Sequence, residues 1–434
     1  MSTPQWRQAA RVMRRAGFSA RASEIDAAVS LGIERWVDQA LETGRADPGV
    51  TATPPPTFEQ LPPLPAGADK AQRQARNEQL AAQGATLTRW WIGRMLQADN
   101  PVLERVTLGW HDHWATSIGK VRDASAMLRQ NQTLRTRGLG SFTDLAHAMI
   151  VDPALMDWLD AQKNTKAAPN ENLAREFMEL FCLGVDNGYT EHDVREGARA
   201  LTGWQISASH QATFNQGRFD SGSKTVLGVT GNLDSSGFVD AVLAAQGHPG
   251  HVATRWWQHL AAADVPSPEV LSRLTAAYGT ARDCRALLRA VLLDPAFADA
   301  RSTIVSTPVE WLVGAMRTLK IPATDDTLKE AVQGLRLLGQ VPFQPPNVAG
   351  WPRGQAWLST ASAQSRAAIA QRLTAKADLT TVTQVPAAQR LDAVLAMLGL
   401  DTVTNRTMEA LKAVTSDARH LVAAALISPD YLVV

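Results

Sequence analysis

Cysteine is nearly missing from this chain: of 434 residues, only Cys182 and Cys284 carry a thiol. Two thiols cannot build a disulfide framework or a thiolate zinc site. An excess of one charge is missing too, since 43 Lys and Arg against 42 Asp and Glu leave a net +1. That balance offers no basic field to nucleic acid or to an anionic membrane surface, so neither is expected as a partner. No run of about eighteen apolar residues occurs, and no membrane span is expected. The start, Met1-Ser-Thr-Pro-Gln-Trp, lacks the charged and then apolar pattern of a signal peptide, from which a cytoplasmic protein is expected. Also absent are the Gly-x-Ser-x-Gly elbow, the Walker loop, the dinucleotide fingerprint and the His-Glu-x-x-His helix.

What is present is an ordinary globular composition, 45% apolar and 20% charged, in a chain too long for one core. Apolar residues recur at helical spacing, and the expected fold is all-α: a multi-helical, two-lobed bundle with a small irregular or β insertion. Residues 1–43 read as N-terminal helices and 44–68 as a connector, because its prolines, Pro63 among them, exclude a helix interior. Residues 69–204 read as a central helical lobe and 205–237 as a polar, glycine-rich loop or hairpin. Residues 238–434 read as a C-terminal helical lobe, interrupted at 341–360 by a Pro/Gly/Trp-rich segment. One device recurs: Leu145 to Pro153, Leu287 to Pro295 and Leu421 to Pro429 share a leucine eight residues and an alanine five residues before the proline. This is the pattern of a buried helix stopped by Asp-Pro or Ser-Pro.

The stretch Asn170–Trp204 is the most informative. Asn170 suits a helix cap and Gly184 a terminator. On a helical wheel Leu173, Phe177, Leu180 and Phe181 fill one arc, with Glu171, Arg175, Glu176 and Glu179 opposite. Met178, Cys182 and Leu183 fall inside that polar arc, so it does not simply face water. Clustered carboxylates beside apolar groups suit acid–base chemistry or a metal site, though structural ion pairing is the more ordinary use of such a cluster. Thr190 opens a second helix with a capping box, and a short turn makes the two helices an antiparallel hairpin. Arg195 and Arg199, one turn apart, are then expected to neutralise Glu176 and Glu179. Asp186-Asn-Gly lacks the alternating ligands of a calcium loop.

Elsewhere, Asn100-Pro101 starts a helix whose core stripe is Leu103, Val106, Trp110 and Trp114. His111 and His113 fall on opposite margins of that stripe, about 160° apart, so they share a metal only if the helix ends early. Otherwise they are packing residues. Arg129, Asn131 and Arg135 are polar groups that could line a pocket for anionic or hydroxyl-rich ligands. Among thirteen tryptophans, Trp351 and Trp357 lie in the irregular segment and are the candidates for surface platforms to sugar rings.

These residues carry a resemblance. The stretches Arg14-Arg-Ala-Gly-Phe, Trp110-His-Asp-His-Trp-Ala, Lys120-Val-Arg-Asp, Arg129-Gln-Asn-Gln-Thr-Leu-Arg, the central block, Lys224-Thr-Val-Leu-Gly and Pro346-Asn-Val-Ala-Gly-Trp-Pro-Arg-Gly-Gln-Ala-Trp closely resemble the large bacterial domain-of-unknown-function family numbered 1800, over nearly the whole chain. The resemblance implies an all-helical protein without an established activity. It also implies a gene neighbour, an exported alkaline-phosphatase-like or sulfatase-like partner, and hence envelope or polymer chemistry. Cys182 stands where the family more often has threonine. Two readings follow. In the first the chain is an enzyme, metal-assisted or acid–base, that hydrolyses a polysaccharide or a sulfated or phosphorylated polymer. Glu176, Glu179 and Arg199 would be catalytic; Arg129, Asn131, Arg195, Trp351 and Trp357 would bind substrate; and His111, His113 and Glu179 would hold a divalent metal. In the second it is a non-enzymatic adaptor or assembly factor, able to leave the cytoplasm bound to a leader-bearing partner.

Overall fold

The computed structural model describes residues 3–62, 64–299 and 303–434, so Pro63 lies outside the described residues. The fold is all-α with two small two-stranded antiparallel sheets. No helix among the described residues is long and apolar enough to cross a membrane.

Helix starts follow local chemistry closely. Thr3, Asp69, Asn100, Thr190, Ser267 and Thr307 each accept a backbone N–H of the turn they open, and proline follows directly at 4, 101, 268 and 308. The recurring device is a helix followed by a second cap. Asp152, Asp294 and Ser428 each cap a short helical segment beginning at Pro153, Pro295 or Pro429. The proline therefore starts a new turn as well as ending the old helix. The described part of the connector holds one helical turn, Pro48–Thr51, and is otherwise without regular structure, and it is strapped to helix Lys70–Gln97. Trp90 Nε1 donates to Thr53 O at 3.2 Å and Gln83 Nε2 to Glu59 O at 2.9 Å.

Two large apolar cores organise the described residues, beside a small one among the N-terminal helices. One gathers Trp110 and Trp114, the hairpin residues Phe177 and Phe181, and Phe238, Trp256, Leu274 and Leu288. The other draws Trp91 and Met95 of the long helix together with Trp311, Leu335, Ile369 and Leu421. The cores thus cut across the expected division at 69–204 and 238–434. Helix Lys70–Gln97 packs on helices Pro308–Thr318 and Asp325–Leu338, while helices Ser235–Ala244 and Gly247–Leu260 join the central hairpin. Chain order is a poor guide here because burying an apolar face needs a partner in space, not in sequence.

The insertion is two hairpins, Trp204–Ile206 with Ala212–Phe214 and Lys224–Val226 with Val229–Gly231. The central helix differs from a regular one: Asn172–Glu176 is α-helical and Phe177–Cys182 is a π-turn, closed by Leu183 N–H donating to Met178 O at 2.8 Å. The wider turn rotates Met178, Cys182 and Leu183 inward, and all three are fully buried. That is why they broke the polar arc.

Candidate functional site

The end of helix Pro101–His113 and the segment 341–357 meet, bringing two of the longest sequence motifs together. Asp112 is the joint. Its Oδ1 accepts the Trp351 N–H at 2.7 Å, and its Oδ2 accepts from Arg353 Nη2 at 3.1 Å. Gly350, at φ +86°, fits because a Cβ there would stand 2.3 Å from Asp112 Oδ1. His111 Nε2 accepts the Phe343 N–H at 3.0 Å, so its proton is on Nδ1. Burial lowers its pKa to about 3, and the ring stays neutral.

Beneath this joint the π-turn ends with three carbonyls that no helical N–H reaches. Three imidazoles satisfy them in succession: His251 Nε2 donates to Leu180 O at 2.9 Å, His113 Nε2 to Phe181 O at 2.8 Å and His248 Nδ1 to Cys182 O at 3.1 Å. A carbonyl only accepts, which fixes the tautomer of each ring. His248 Nε2 then accepts from the Tyr278 hydroxyl at 3.0 Å. Burial above all lowers the proton affinity of His113, of His248 to about 3 and of His251 to about 4.

A partly buried charged cluster completes the site. Helix Gly247–Leu260 aims His251, Arg255 and His259 from one face at spacings of four, opposite Asp112 and His113. Arg353 Nη1 donates to Gln258 Oε1 at 3.3 Å and its Nη2 lies 3.4 Å from His259 Nε2. Arg105 pairs with Glu310 at 2.6 Å and donates to His259 O at 2.9 Å. Arg255 makes no hydrogen bond or ion pair among the described residues, and its Nε is buried without a partner. Burial and then the nearby Arg353 lower its pKa to about 10, against the pull of Asp112. His259 is held neutral by burial, then by Arg353, Arg255 and Arg105. Arg105 and Arg353 thus pair with Glu310 and Asp112 around a cavity of about 50 Å³ lined also by His259 and Gln340, and Arg255, outside its lining, adds a third positive charge nearby. The arrangement is suited to an anion.

The residues expected from sequence are distributed differently. His111 and His113 are not brought together with Glu179: each histidine has its Nε2 occupied by backbone, and no group of three metal-ligating side chains occurs among the described residues. Arg199 does not neutralise Glu176 or Glu179. It pairs with Glu196 at 2.8 Å and Asp220 at 2.7 Å, while Arg175 takes Glu171 and Glu191, and Arg195 is exposed. The hairpin insertion supplies Asp220 and so redirects Arg199. Glu176 and Glu179 stay half-buried without an ion pair among the described residues; burial and then Glu179 raise the pKa of Glu176, and the Tyr189 hydroxyl bonds Glu179. Trp351 and Trp357 are buried, not surface platforms. Asn131 is buried and accepts from Arg135, which clamps the buried Glu104 with Arg94. Arg129 lies on another face, donating to His210 O at 2.7 Å.

Sequence reasoning missed Asp112, Arg353, Arg255 and His259. The first two stood inside quoted motifs, overshadowed by neighbouring His and Trp. The other two showed only as a polar stripe at helical spacing.

A family model described as "Protein of unknown function (DUF1800)" matches residues 11–433. No curated protein and no solved structure matches the chain.

Proposed function

The chain belongs to the DUF1800 family of proteins of unknown function, and from that premise we propose that it is a hydrolytic enzyme acting on a sulfated or phosphorylated polymer, with the oxyanion held at the Asp112 cavity. The observation that carries this reading is the pair of guanidiniums on the cavity wall, Arg105 and Arg353, with a third, Arg255, close by and without an ion pair among the described residues. Positive charge in excess of the carboxylates around the cavity favours a bound anion. The cavity, about 50 Å³, has room for a terminal oxyanion and not for a sugar ring, so the polymer itself would lie outside. Arg353 and Arg105 would clamp the anion, held in place by Asp112 and Glu310, and Arg255 would add positive potential nearby. His259, neutral with Nε2 toward Arg353, would take a proton from the water that attacks sulfur or phosphorus and pass it to the ester oxygen, which leaves as the polymer hydroxyl; a bound anion raises its proton affinity.

The test is release of sulfate or phosphate from sulfated and phosphorylated polysaccharides. Turnover by the intact protein, reduced about 100-fold or more in His259→Gln, is the expected result. Absence of release from every polymer, or full turnover in that variant, overturns the reading. Glu179→Gln, tested alongside, asks whether the separate hairpin carboxylates contribute.

A second reading, the adaptor for a phosphatase-like or sulfatase-like partner and export in its company, is favoured by two observations. His111 and His113 diverge onto backbone groups, while Phe214 and Val229 on the two hairpins are 43% exposed. Co-purification of such a partner, lost in Phe214→Ser, would support it.

A further inference from the structure

A second cavity, of about 400 Å³, lies where the proline-rich connector, helix Lys70–Gln97, the start of helix Ala124–Arg137 and the tip of the first β-hairpin come together. It shares no residue with the cavity at Asp112. Its volume falls in the range of small-molecule sites, whereas that of the Asp112 cavity does not.

The walls have two chemical characters. Phe58, Leu61, Leu80 and Val121 present apolar surface, and Arg76, Arg122 and Arg129 present guanidiniums. The three arginines come from three different parts of the chain, yet their partners share one property: all are neutral acceptors. Arg76 donates to the carbonyls of Leu61 and Pro62, Arg122 to Asn77 Oδ1, and Arg129 to His210 O. None of the three is in an ion pair among the described residues, and Arg129 Nε is buried with no acceptor. Elsewhere in this molecule arginines commonly pair with carboxylates, as Arg105, Arg135, Arg175, Arg199 and Arg273 do.

Two carboxylates against three guanidiniums leave the cleft a net positive charge of one. Asp123 caps helix Ala124–Arg137 through Ser125 N–H and Ala126 N–H, and lies 2.5 Å from His210 Nδ1. Glu59 is exposed on the connector. The cleft is also held open by built contacts. Gln60 bonds Ala208 O and Arg129 bonds His210 O, tying the hairpin tip to the connector and to the helix. His210 adopts φ +55° to make that tip.

We propose that this cleft binds an organic carboxylate with an apolar body, the carboxylate taken by Arg122 and Arg76 and the body lying on Phe58, Leu61 and Leu80. Guanidiniums with spare N–H groups match a carboxylate bidentately, and the apolar floor discriminates against small inorganic anions. The site stands independently of the hydrolytic reading, since no residue is common to both cavities.

The test is calorimetric titration of the full chain with phenylbutyrate, its neutral analogue phenylbutyramide, and acetate. Saturable binding of phenylbutyrate is expected, with the amide and acetate each at least about tenfold weaker. Arg122→Gln and Arg76→Gln, both in surface positions whose loss leaves the cores intact, should each weaken phenylbutyrate about tenfold. No saturable heat at millimolar phenylbutyrate overturns the proposal. So does equal affinity for the amide, or unchanged affinity in both variants. Phosphate release by the Asp112 site is unaffected by either arginine, so the two proposals fail separately.

Discussion

Phe343 donates its backbone N–H to Nε2 of His111 at 3.0 Å, and it does so at φ +66°, a left-handed conformation that a bulky L-residue rarely adopts. Its carbonyl is equally committed, accepting Ile118 N–H at 2.9 Å. The imidazole packs against Trp91, Phe343 and Trp351 with ring centroids 5.3 to 5.5 Å apart. His111 thus fastens the irregular segment to the helix that carries Asp112, and the backbone strain at Phe343 persists because both its polar groups are held.

His111→Ala leaves that buried N–H without an acceptor and opens a cavity among three aromatic rings. A loss of about 3 kcal/mol is expected, with faster amide exchange across 341–357. Denaturant unfolding and hydrogen exchange measure both. Wild-type stability in the variant would mean that the strained turn is held by other contacts.

Glycine is required at 350 and not at 354, though both sit at positive φ. A Cβ on Gly350 meets Asp112 Oδ1 at 2.3 Å and Asp112 O at 2.6 Å, whereas one on Gly354 meets nothing closer than Ala263 Cβ at 3.8 Å. Gly350→Ala should displace the Trp351–Asp112 hydrogen bond and lower stability by about 3 kcal/mol or more; Gly354→Ala carries only the left-handed backbone penalty of about 1 kcal/mol. Equal melting temperatures for the two variants would contradict the close approach of Gly350 to Asp112.

Five histidines, at 111, 113, 248, 251 and 259, are neutral in the fold because burial lowers their proton affinity. The unfolded chain, where histidine titrates near 6.5, therefore takes up more protons than the folded one below that pH. Their contribution is fully present above pH 6.5 and is lost as pH falls toward the folded values of about 3 to 4. Each adds a slope of about 1.4 kcal/mol per pH unit within that window. Together they should unfold the protein between about pH 6 and 4.5, given a stability of about 5–15 kcal/mol. Circular dichroism against pH measures this, and a melting temperature constant down to pH 4.5 would refute it.

Asp152 acts in the opposite sense. It is buried, caps Pro153–Trp158 through Leu155 N–H and accepts from Gln130, yet burial raises its pKa to about 6. The folded carboxyl keeps its proton between about pH 4 and 6 while the unfolded one releases it, so this contribution to stability falls as pH rises through that window. At pH 7 the ionised carboxylate costs about 3 kcal/mol. Asp152→Asn retains a good cap and does not titrate. Relative to wild type it should gain about 2–3 kcal/mol between pH 4.5 and pH 7, read from paired denaturant curves; a difference independent of pH would exclude Asp152 as the titrating group.

Sequence pattern made the helices legible because caps and prolines act within one turn, and Thr190, Asn100-Pro101 and the three Asp/Ser-Pro devices are local signals. The insertion and the irregular segment were legible for the same reason. The π-turn left a trace in Met178 and Cys182 on the wrong arc, without disclosing its geometry. The site was much less legible. Asp112 gains its meaning from Trp351 and Arg353, some 240 positions away, and no periodicity encodes which distant backbone a side chain will meet. Arg199 misled for a related reason, since its partner Asp220 belongs to a loop whose path the helical pattern does not specify.

Arg255 separates a structural role from a ligand-binding one. If its guanidinium served only the fold, it would have acceptors, and replacing it by an apolar side chain of similar length would remove them. It has none among the described residues, and Arg353 nearby disfavours its charge. Arg255→Met should therefore leave the melting temperature of the ligand-free protein unchanged or slightly raised, within about 1 kcal/mol of stability, since no ion pair is lost and the methylene stem is kept. The same variant should lose part of the stabilisation that sulfate or phosphate gives to the wild type, because that stabilisation depends on an anion binding the folded state alone. Scanning calorimetry at matched ionic strength, with chloride replaced stepwise by sulfate, reads both effects. A destabilised variant that still responds fully to sulfate would make Arg255 a structural residue and leave the anion to Arg353 and Arg105 without it.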